Sequence, residues 1–139
     1  MTQTSQALPQ VSVIIPVFND MERLQHCLVA LEQQTYPQSH YEVVVIDNGS
    51  DNQNEVLALV EQFSQAIAAC ETVPGSYAAR NKGIKVAKGE VIAFTDADCI
   101  PAADWIEQGV YWLNQHPGCG LVAGQIELFF KNPERLTPV

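Results

Sequence analysis

The chain has 139 residues, which at about 100 to 200 residues per domain corresponds to one domain with a core of its own. Hydrophobic residues make up 47% of the sequence and charged residues 17%, a composition that excludes a disordered or low-complexity chain. Seven Lys and Arg against sixteen Asp and Glu give a net charge of −9, so we expect no nucleic-acid partner, because phosphate backbones attract basic surfaces.

The cysteines and the start of the chain indicate the cellular compartment of the protein. Cys27, Cys70, Cys99 and Cys119 form no CxxC pair, so the sequence predicts reduced, mostly buried thiols rather than a zinc cluster or a disulfide framework. No apolar run approaches the ~18 residues of a membrane span, and residues 1–10 lack the regions of a signal peptide. We therefore expect a flexible segment at 1–10 and a cytoplasmic location, with membrane attachment elsewhere in a longer protein left open.

Apolar periodicity predicts strands that alternate with helices. β-branched apolar runs indicate strands, and apolar residues spaced by about three or four positions indicate helices. The predicted elements, in chain order, are a strand at 11–16, a helix at 20–35, a strand at 41–46, a helix at 54–65, a weak strand at 66–72, a helix at 76–88, a strand at 91–95, a helix opened by Pro101 and Asp104, and edge strands at 120–123 and 126–130. Because the strands are apolar throughout, the sequence predicts an α/β fold whose mostly parallel sheet is covered on both faces.

Acidic residues directly follow two of these strands. Asp47 ends the second strand and Asp96 the fourth, and in an open parallel sheet ligands bind outside the carboxyl ends of the strands. Asp96 and Asp98 are two positions apart, so on an extended backbone their carboxylates point to the same side, which suits a divalent cation or one ligand. Any one of these loops is equally well explained as a capped turn, but several at one edge predict a binding site.

Other polar residues differ in the chemistry that they suggest. Arg80, near the start of a predicted helix, is a candidate for a phosphate or base contact. His26, His40 and His116 are isolated from one another and from the cysteines, so we assign them no chemistry. The chain has neither a GxGxxG after its first strand nor a GxxxxGK[ST], which excludes dinucleotide-binding and P-loop proteins.

Five segments, in this order along the chain, resemble family 2 glycosyltransferases of the GT-A fold: VSVIIPVFND at 11–20, LEQQTYP at 31–37, YEVVVIDNGSD at 41–51, ARNKG at 79–83 and GEVIAFTDAD at 89–98. The resemblance implies a three-layer α/β/α, Rossmann-like domain over residues 11–130. Residues 131–139 would then begin a downstream segment that is truncated here.

The resemblance also implies an activity and a set of site residues. The expected reaction is the inverting transfer of a sugar from a UDP- or GDP-sugar to a hydroxyl acceptor, with Mg²⁺ or Mn²⁺. The implied donor-binding residues are Pro16, Phe18 and Asp20 along the nucleoside, Asp47 at the base or ribose, and Asp96-Ala97-Asp98 as the DxD motif, with Asp96 toward the ribose and metal and Asp98 on the cation. Asp47 is expected to serve binding and to contribute little to the core.

Two features depart from the family pattern. The family often has a second aspartate where this chain has Asn48. The family supplies its general base and acceptor surface after the DxD, and neither Glu127 nor Glu134 matches a base motif. We therefore expect the base to lie beyond Val139 and the chain alone to bind a donor without transferring it. The acceptor, a saccharide or a lipid, stays unidentified.

Further expectations concern the truncated side and the competing functions. Apolar surface near Phe129 and Phe130 is expected to favour self-association. One alternative function is a haloacid-dehalogenase-like phosphotransferase, since an Asp-x-Asp after an apolar strand also positions a nucleophile and an acid over Mg²⁺. Another is a nucleotide-sugar-binding module without catalysis.

Overall fold

The computed structural model describes residues 8–118 and 120–124. Four strands alternate with four helices, and a short 3₁₀ turn, Gln38–His40, precedes the second strand. The elements are β1 (Val11–Val17), α1 (Met21–Glu32), β2 (Tyr41–Asp47), α2 (Gln53–Glu61), β3 (Ala66–Cys70), α3 (Ser76–Val86), β4 (Val91–Phe94) and α4 (Trp105–Gln115).

The four strands form one parallel sheet in the order β3-β2-β1-β4. β1 pairs with β2 from Val11 opposite Tyr41 to Val17 opposite Asp47, and with β4 on its other side. All seven residues of β1 are buried, as expected for the centre of a sheet. The register brings the carboxyl ends of β1, β2 and β4 to one edge.

Alternate residues of β1 pack into two separate layers. Val13 and Ile15 belong to a large cluster with side chains of α1, α2 and α4. Ile14 points the other way and packs with Ala79 of α3 and with residues of β2. The sheet is therefore covered on both faces, which confirms the predicted α/β class with its parallel sheet between two helical layers.

Side-chain and backbone hydrogen bonds stabilise the amino-terminal end of the sheet. Ser12, fully buried, donates to the Glu42 carboxylate at 2.6 Å and accepts from the Gly89 amide at 2.8 Å. The Tyr36 hydroxyl donates to the Pro9 carbonyl at 2.6 Å, and the Val91 amide donates to the Gln10 carbonyl at 3.1 Å. The chain is thus held to the domain before β1 begins.

Several predicted elements differ from the structure at their ends. Residues 120–123 are not in a strand, and Leu121 is 81% exposed, so an apolar run predicts a strand only where another layer covers it. β3 ends at Cys70 rather than at 72, because the carbonyls that follow bond to a side chain instead of a ladder. The predicted strand at 126–130, with Phe129 and Phe130, lies outside the described residues, as do Glu127 and Glu134. None of the described helices is long and apolar enough to cross a membrane.

α3 approaches the sheet closely at a glycine. A Cβ atom built on Gly83 would overlap Cγ2 of Ile14, a fully buried side chain of the central strand. The isolated glycine within a helical pattern therefore has a packing reason, since only a hydrogen lets α3 lie this close to β1.

We expect Gly83→Ala to lower the free energy of unfolding by about 1 to 3 kcal/mol, because the added methyl overpacks a tight contact. The matched control is Gly109→Ala in α4, where a Cβ would meet nothing within 4 Å. That variant should gain about 0.5 to 1 kcal/mol, because alanine is the better helix former. Urea unfolding measures both, and a Gly83→Ala protein as stable as the parent would contradict the close approach.

Candidate functional site

An open cavity of about 330 Å³ lies at the carboxyl edge of the sheet. Its walls come from the segments after β1, β2 and β4 and from the first turns of α3. The lining residues are Pro16, Val17, Phe18, Asp20, Asn48, Ser76, Arg80, Asp96, Ala97 and Asp98. All the candidate residues except Asp47 thus lie around one cavity, while Val17, Asn48 and Ser76 were not foreseen as lining residues.

The acidic motif after β4 forms a turn. β4 ends at Phe94, and the backbone turns at 97–98, where the Cys99 amide donates to the Asp96 carbonyl at 3.0 Å. The expectation of an extended backbone here is wrong. The turn nevertheless brings the carboxylates of Asp96 and Asp98 and the Cys99 thiol together, with their ligand atoms all within 4.8 Å of one another.

The donor set of this turn fits a divalent cation. Asp96 and Asp98 are both exposed and offer carboxylate oxygens, the ligands that Mg²⁺ and Mn²⁺ prefer. Two carboxylates this close repel each other unless a positive charge compensates them. Ala97 between them is 6% exposed and packs into the core, which anchors the turn.

Arg80 supplies the basic side chain of the cavity. One guanidinium nitrogen donates to the Asp96 carboxylate at 2.7 Å, and another donates to the Ser76 hydroxyl at 3.3 Å. The Arg80 side chain is 36% exposed and that of Asp96 53%, so solvent screens the pair and it contributes at most about 1 kcal/mol to stability. The remaining guanidinium donors can therefore turn to an anionic ligand at little cost.

Asp47 lies behind the cavity wall rather than in it. It is fully buried, and its Oδ2 accepts from the Gly49 and Ser50 amides at 3.2 and 3.1 Å and from the Gln53 side chain at 3.0 Å. Although the sequence predicts that Asp47 contributes little to the core, its carboxylate accepts from two amides of the β2–α2 loop, so the structure predicts that it also stabilises this loop. Its Oδ1 is buried without a hydrogen-bond partner among the described residues.

The loops after β1 and β2 are tied to each other. The backbone amide of Asn19 donates to the Ser50 hydroxyl at 2.9 Å. The side-chain oxygen of Asn19 accepts from the backbone amide of Asp51 at 2.9 Å. Asn19 has a φ of 49°, in the left-handed region that asparagine tolerates better than most residues. Asp20, which follows, pairs with Arg23 at 3.0 Å instead of capping α1 with its side chain.

A buried glutamine anchors the segment after the acidic turn. Gln34 donates to the Ala102 carbonyl at 2.7 Å and accepts from the Ile106 amide at 3.0 Å, which satisfies an unpaired donor at the start of α4. The neighbouring Thr35 amide donates to the Ala103 carbonyl at 2.8 Å. The LEQQTYP segment therefore positions the chain that leaves Asp98, a role that only its partners more than sixty positions away disclose.

The cysteines differ from one another. Cys27 is buried beneath the acidic turn, with its thiol 3.7 Å from the Asp96 carbonyl, and burial raises its pKa to about 12. Cys70 is exposed on the edge strand and Cys99 is half-buried, so the prediction of mostly buried thiols is wrong for these two. Cys119 lies outside the described residues.

The comparisons with known proteins bear on this site. The family model described as glycosyl transferase family 2 matches residues 12–139. The chain belongs to glycosyl transferase family 2. Glycosyltransferase AglE of Haloferax volcanii is 46% identical to it over 130 residues, which are 90% of this chain and 42% of AglE.

Two solved structures are similar to this family 2 chain. Mannosyltransferase PcManGT from Pyrobaculum calidifontis, in complex with GDP-Man and Mn²⁺, has a TM-score of 0.70 at 32% identity and covers 77% of this chain and 33% of that one. S. aureus TarS 1-349, in complex with UDP-GlcNAc, has a TM-score of 0.67 at 25% identity, and the match covers 78% of this chain and 32% of the TarS chain. This chain therefore spans less than half the length of these proteins.

These similarities confirm the GT-A fold that the motif resemblance implied. They also overturn the phosphotransferase alternative, because the match runs through the whole chain and not only through the Asp-x-Asp segment. Both solved neighbours named above hold a nucleotide sugar. None of the three histidines of this family 2 chain lines the cavity.

We expect Asp47→Ala to lower the free energy of unfolding by about 1 to 3 kcal/mol, because it leaves the buried Ser50 amide and the part-buried Gly49 amide without their acceptor. The matched control is Asp51→Ala, an exposed carboxylate in the same loop whose side-chain hydrogen bond, from the Asn19 side chain, is long at 3.4 Å and exposed; this variant should change stability by less than about 0.5 kcal/mol. Chemical unfolding compares the two variants. Equal stability of Asp47→Ala and the parent would show that the loop does not depend on this carboxylate.

Proposed function

We propose that this chain is the donor-binding part of an inverting glycosyltransferase that takes a UDP- or GDP-sugar and needs a divalent cation. The observation that carries the proposal is the turn at Asp96 and Asp98, which faces one cavity together with Arg80. Two carboxylates and one guanidinium suit a cation with a diphosphate better than either alone.

The charge of the site explains why a cation would be needed. The chain carries a net charge of −9, and of the three carboxylates that line the cavity, Asp20 pairs with Arg23 and Asp96 with Arg80, which leaves Asp98 without a basic partner among the described residues. A diphosphate would meet net repulsion here. Mg²⁺ or Mn²⁺, held by Asp98 and Asp96, would neutralise the diphosphate and stabilise the departing nucleotide.

The protein's own residues would divide the work of holding the donor. Phe18 is 60% exposed at the cavity and offers an aromatic face to the nucleoside beside Pro16 and Asp20. Arg80 would exchange part of its contact with Asp96 for the phosphates. The Oδ1 of Asp47 has no hydrogen-bond partner among the described residues but is fully buried, so a base or ribose would reach it only if the β2–α2 loop moved aside.

Sugar transfer requires a general base and a bound acceptor, and we assign neither to residues of the cavity. An inverting reaction needs a carboxylate that removes the proton of the acceptor hydroxyl as it attacks the anomeric carbon, and an acceptor held in line. We expect both outside residues 1–139, as the family resemblance implies. These residues alone should therefore bind a nucleotide sugar without transferring its sugar, and the acceptor, a saccharide or a lipid, stays open.

Calorimetric titration with UDP and GDP tests the proposal. At least one nucleotide should bind with Mn²⁺ present, and its affinity should fall about tenfold or more in excess chelator, because the diphosphate then faces uncompensated carboxylates. Asp98→Asn should weaken the Mn²⁺-dependent binding to a similar extent. Affinity that is equally tight in excess chelator would overturn the cation requirement.

The matched control is Asp104→Asn, which removes the same charge at an exposed residue near the start of α4. Asp104 does not line the cavity, and its side chain makes no capping hydrogen bond. This variant should bind the nucleotide like the parent. Equal weakening by Asp104→Asn and Asp98→Asn would indicate a general charge effect rather than a cation site.

A further inference from the structure

The segment 71–75, which joins β3 to α3, is held to the sheet by one side chain. Asn48 donates through Nδ2 to the Glu71 carbonyl at 3.0 Å and to the Val73 carbonyl at 2.8 Å. Its Oδ1 accepts from the Gly75 amide at 2.8 Å. Both ends of the amide are therefore used on one stretch of backbone.

Apolar burial contributes little to the conformation of this segment. Residues 72–75 are exposed, and Val73 is 58% exposed, so apolar burial contributes little to fixing their path. The Glu71 amide continues the pairing of β3 by donating to the Asp47 carbonyl at 2.9 Å, but the ladder goes no further. Beyond Glu71, the bonds from Asn48 take the place of the ladder.

The segment determines where α3 begins. Gly75 occupies the position before the helix with a φ of 113°, and its carbonyl accepts from the Ala79 amide at 3.2 Å. Ser76 and Arg80, in the first turns of α3, line the cavity with Asn48. A shift of Gly75 would therefore move the guanidinium that contacts Asp96.

We propose that Asn48 is a positioning residue that sets the start of α3 and, through it, places Arg80 against the acidic turn. The proposal rests on the proposed function, in which Arg80 contacts the donor phosphates. Asn48 acts on Arg80 through the backbone of 71–75 and not by direct contact.

The contacts of this site suit an amide. Two carbonyls need donors and one backbone N–H needs an acceptor, and among side chains of this size only asparagine offers both. An aspartate at this position would accept from Gly75 but would face the Glu71 and Val73 carbonyls with a negative charge. It would also add a fourth carboxylate to a cavity already lined by three, Asp20, Asp96 and Asp98.

Hydrogen exchange on the ligand-free protein tests the first step. In Asn48→Ala and in the near-isosteric Asn48→Asp, the Gly75 amide should exchange about tenfold faster or more than in the parent. Alanine lacks the acceptor, and a carboxylate, although it can accept from Gly75, lacks the donors for the Glu71 and Val73 carbonyls and repels them, so the segment is released. Asn54→Ala and Asn54→Asp, which make the same changes at an exposed residue of α2, should leave Gly75 unaffected. Unchanged protection of Gly75 in both Asn48 variants would overturn the proposal.

A double-mutant cycle with Arg80→Ala tests the second step by calorimetric titration of UDP and GDP with Mn²⁺. Asn48→Ala alone should weaken nucleotide binding about tenfold, and it should have little further effect in the Arg80→Ala background, because the residue it positions is gone. Fully additive effects would overturn the positioning role and indicate a direct ligand contact. If Asn48→Asp weakened nucleotide binding and Asn48→Ala did not, the effect would come from the added charge. That result would also overturn the positioning role.

The two proposals fail separately. If the parent bound neither nucleotide with Mn²⁺, the proposed function would fail. The exchange rate of Gly75 would still decide whether Asn48 holds the segment, and the NMR signal of the Arg80 guanidinium in ligand-free Asn48→Ala would still report whether its contact with Asp96 has moved. An unmoved signal would overturn the positioning of Arg80.

Discussion

The burial of β1 on both faces is the constraint on which the rest of this structure depends. Its odd-numbered residues pack against α1, α2 and α4, and Ile14 packs against α3 at Gly83. A strand buried in this way must lie inside the sheet, with parallel neighbours on both sides. The carboxyl ends of three strands then open at one edge, and the cavity forms where their loops separate.

The loops around the cavity are held mainly by polar side chains and not by apolar packing. Asp47 accepts hydrogen bonds from amides of the β2–α2 loop, and Asn48 donates to carbonyls of the segment before α3. Gln34 donates to a carbonyl of the segment after Asp98. An exposed loop buries too little apolar surface to be fixed by the hydrophobic effect. A side chain with several donors or acceptors can instead replace the missing backbone partners of such a loop.

The cavity combines opposite charges in a way that suits a ligand of mixed charge. Asp96 and Asp98 repel each other, and in the ligand-free protein Arg80 compensates one of them at 2.7 Å. Because that pair is half exposed, it can rearrange at small cost when a cation and an anion arrive together. The chain belongs to glycosyl transferase family 2 and spans less than half the length of the relatives compared, and this membership supports the proposed donor site.

The sequence by itself determined the order and type of all eight helices and strands in the described part, because apolar periodicity reflects which faces are buried. Its motifs also selected most of the residues that line the cavity, although not Val17, Asn48 or Ser76, since family motifs are local and keep their spacing. Only the tertiary structure decided that Asp47 lies behind the wall, that 120–123 is not a strand, and that Asn48 and Gln34 fasten segments far along the chain. The physical reason is that burial and hydrogen-bond partners depend on residues that folding brings together from distant positions, and no local pattern encodes them.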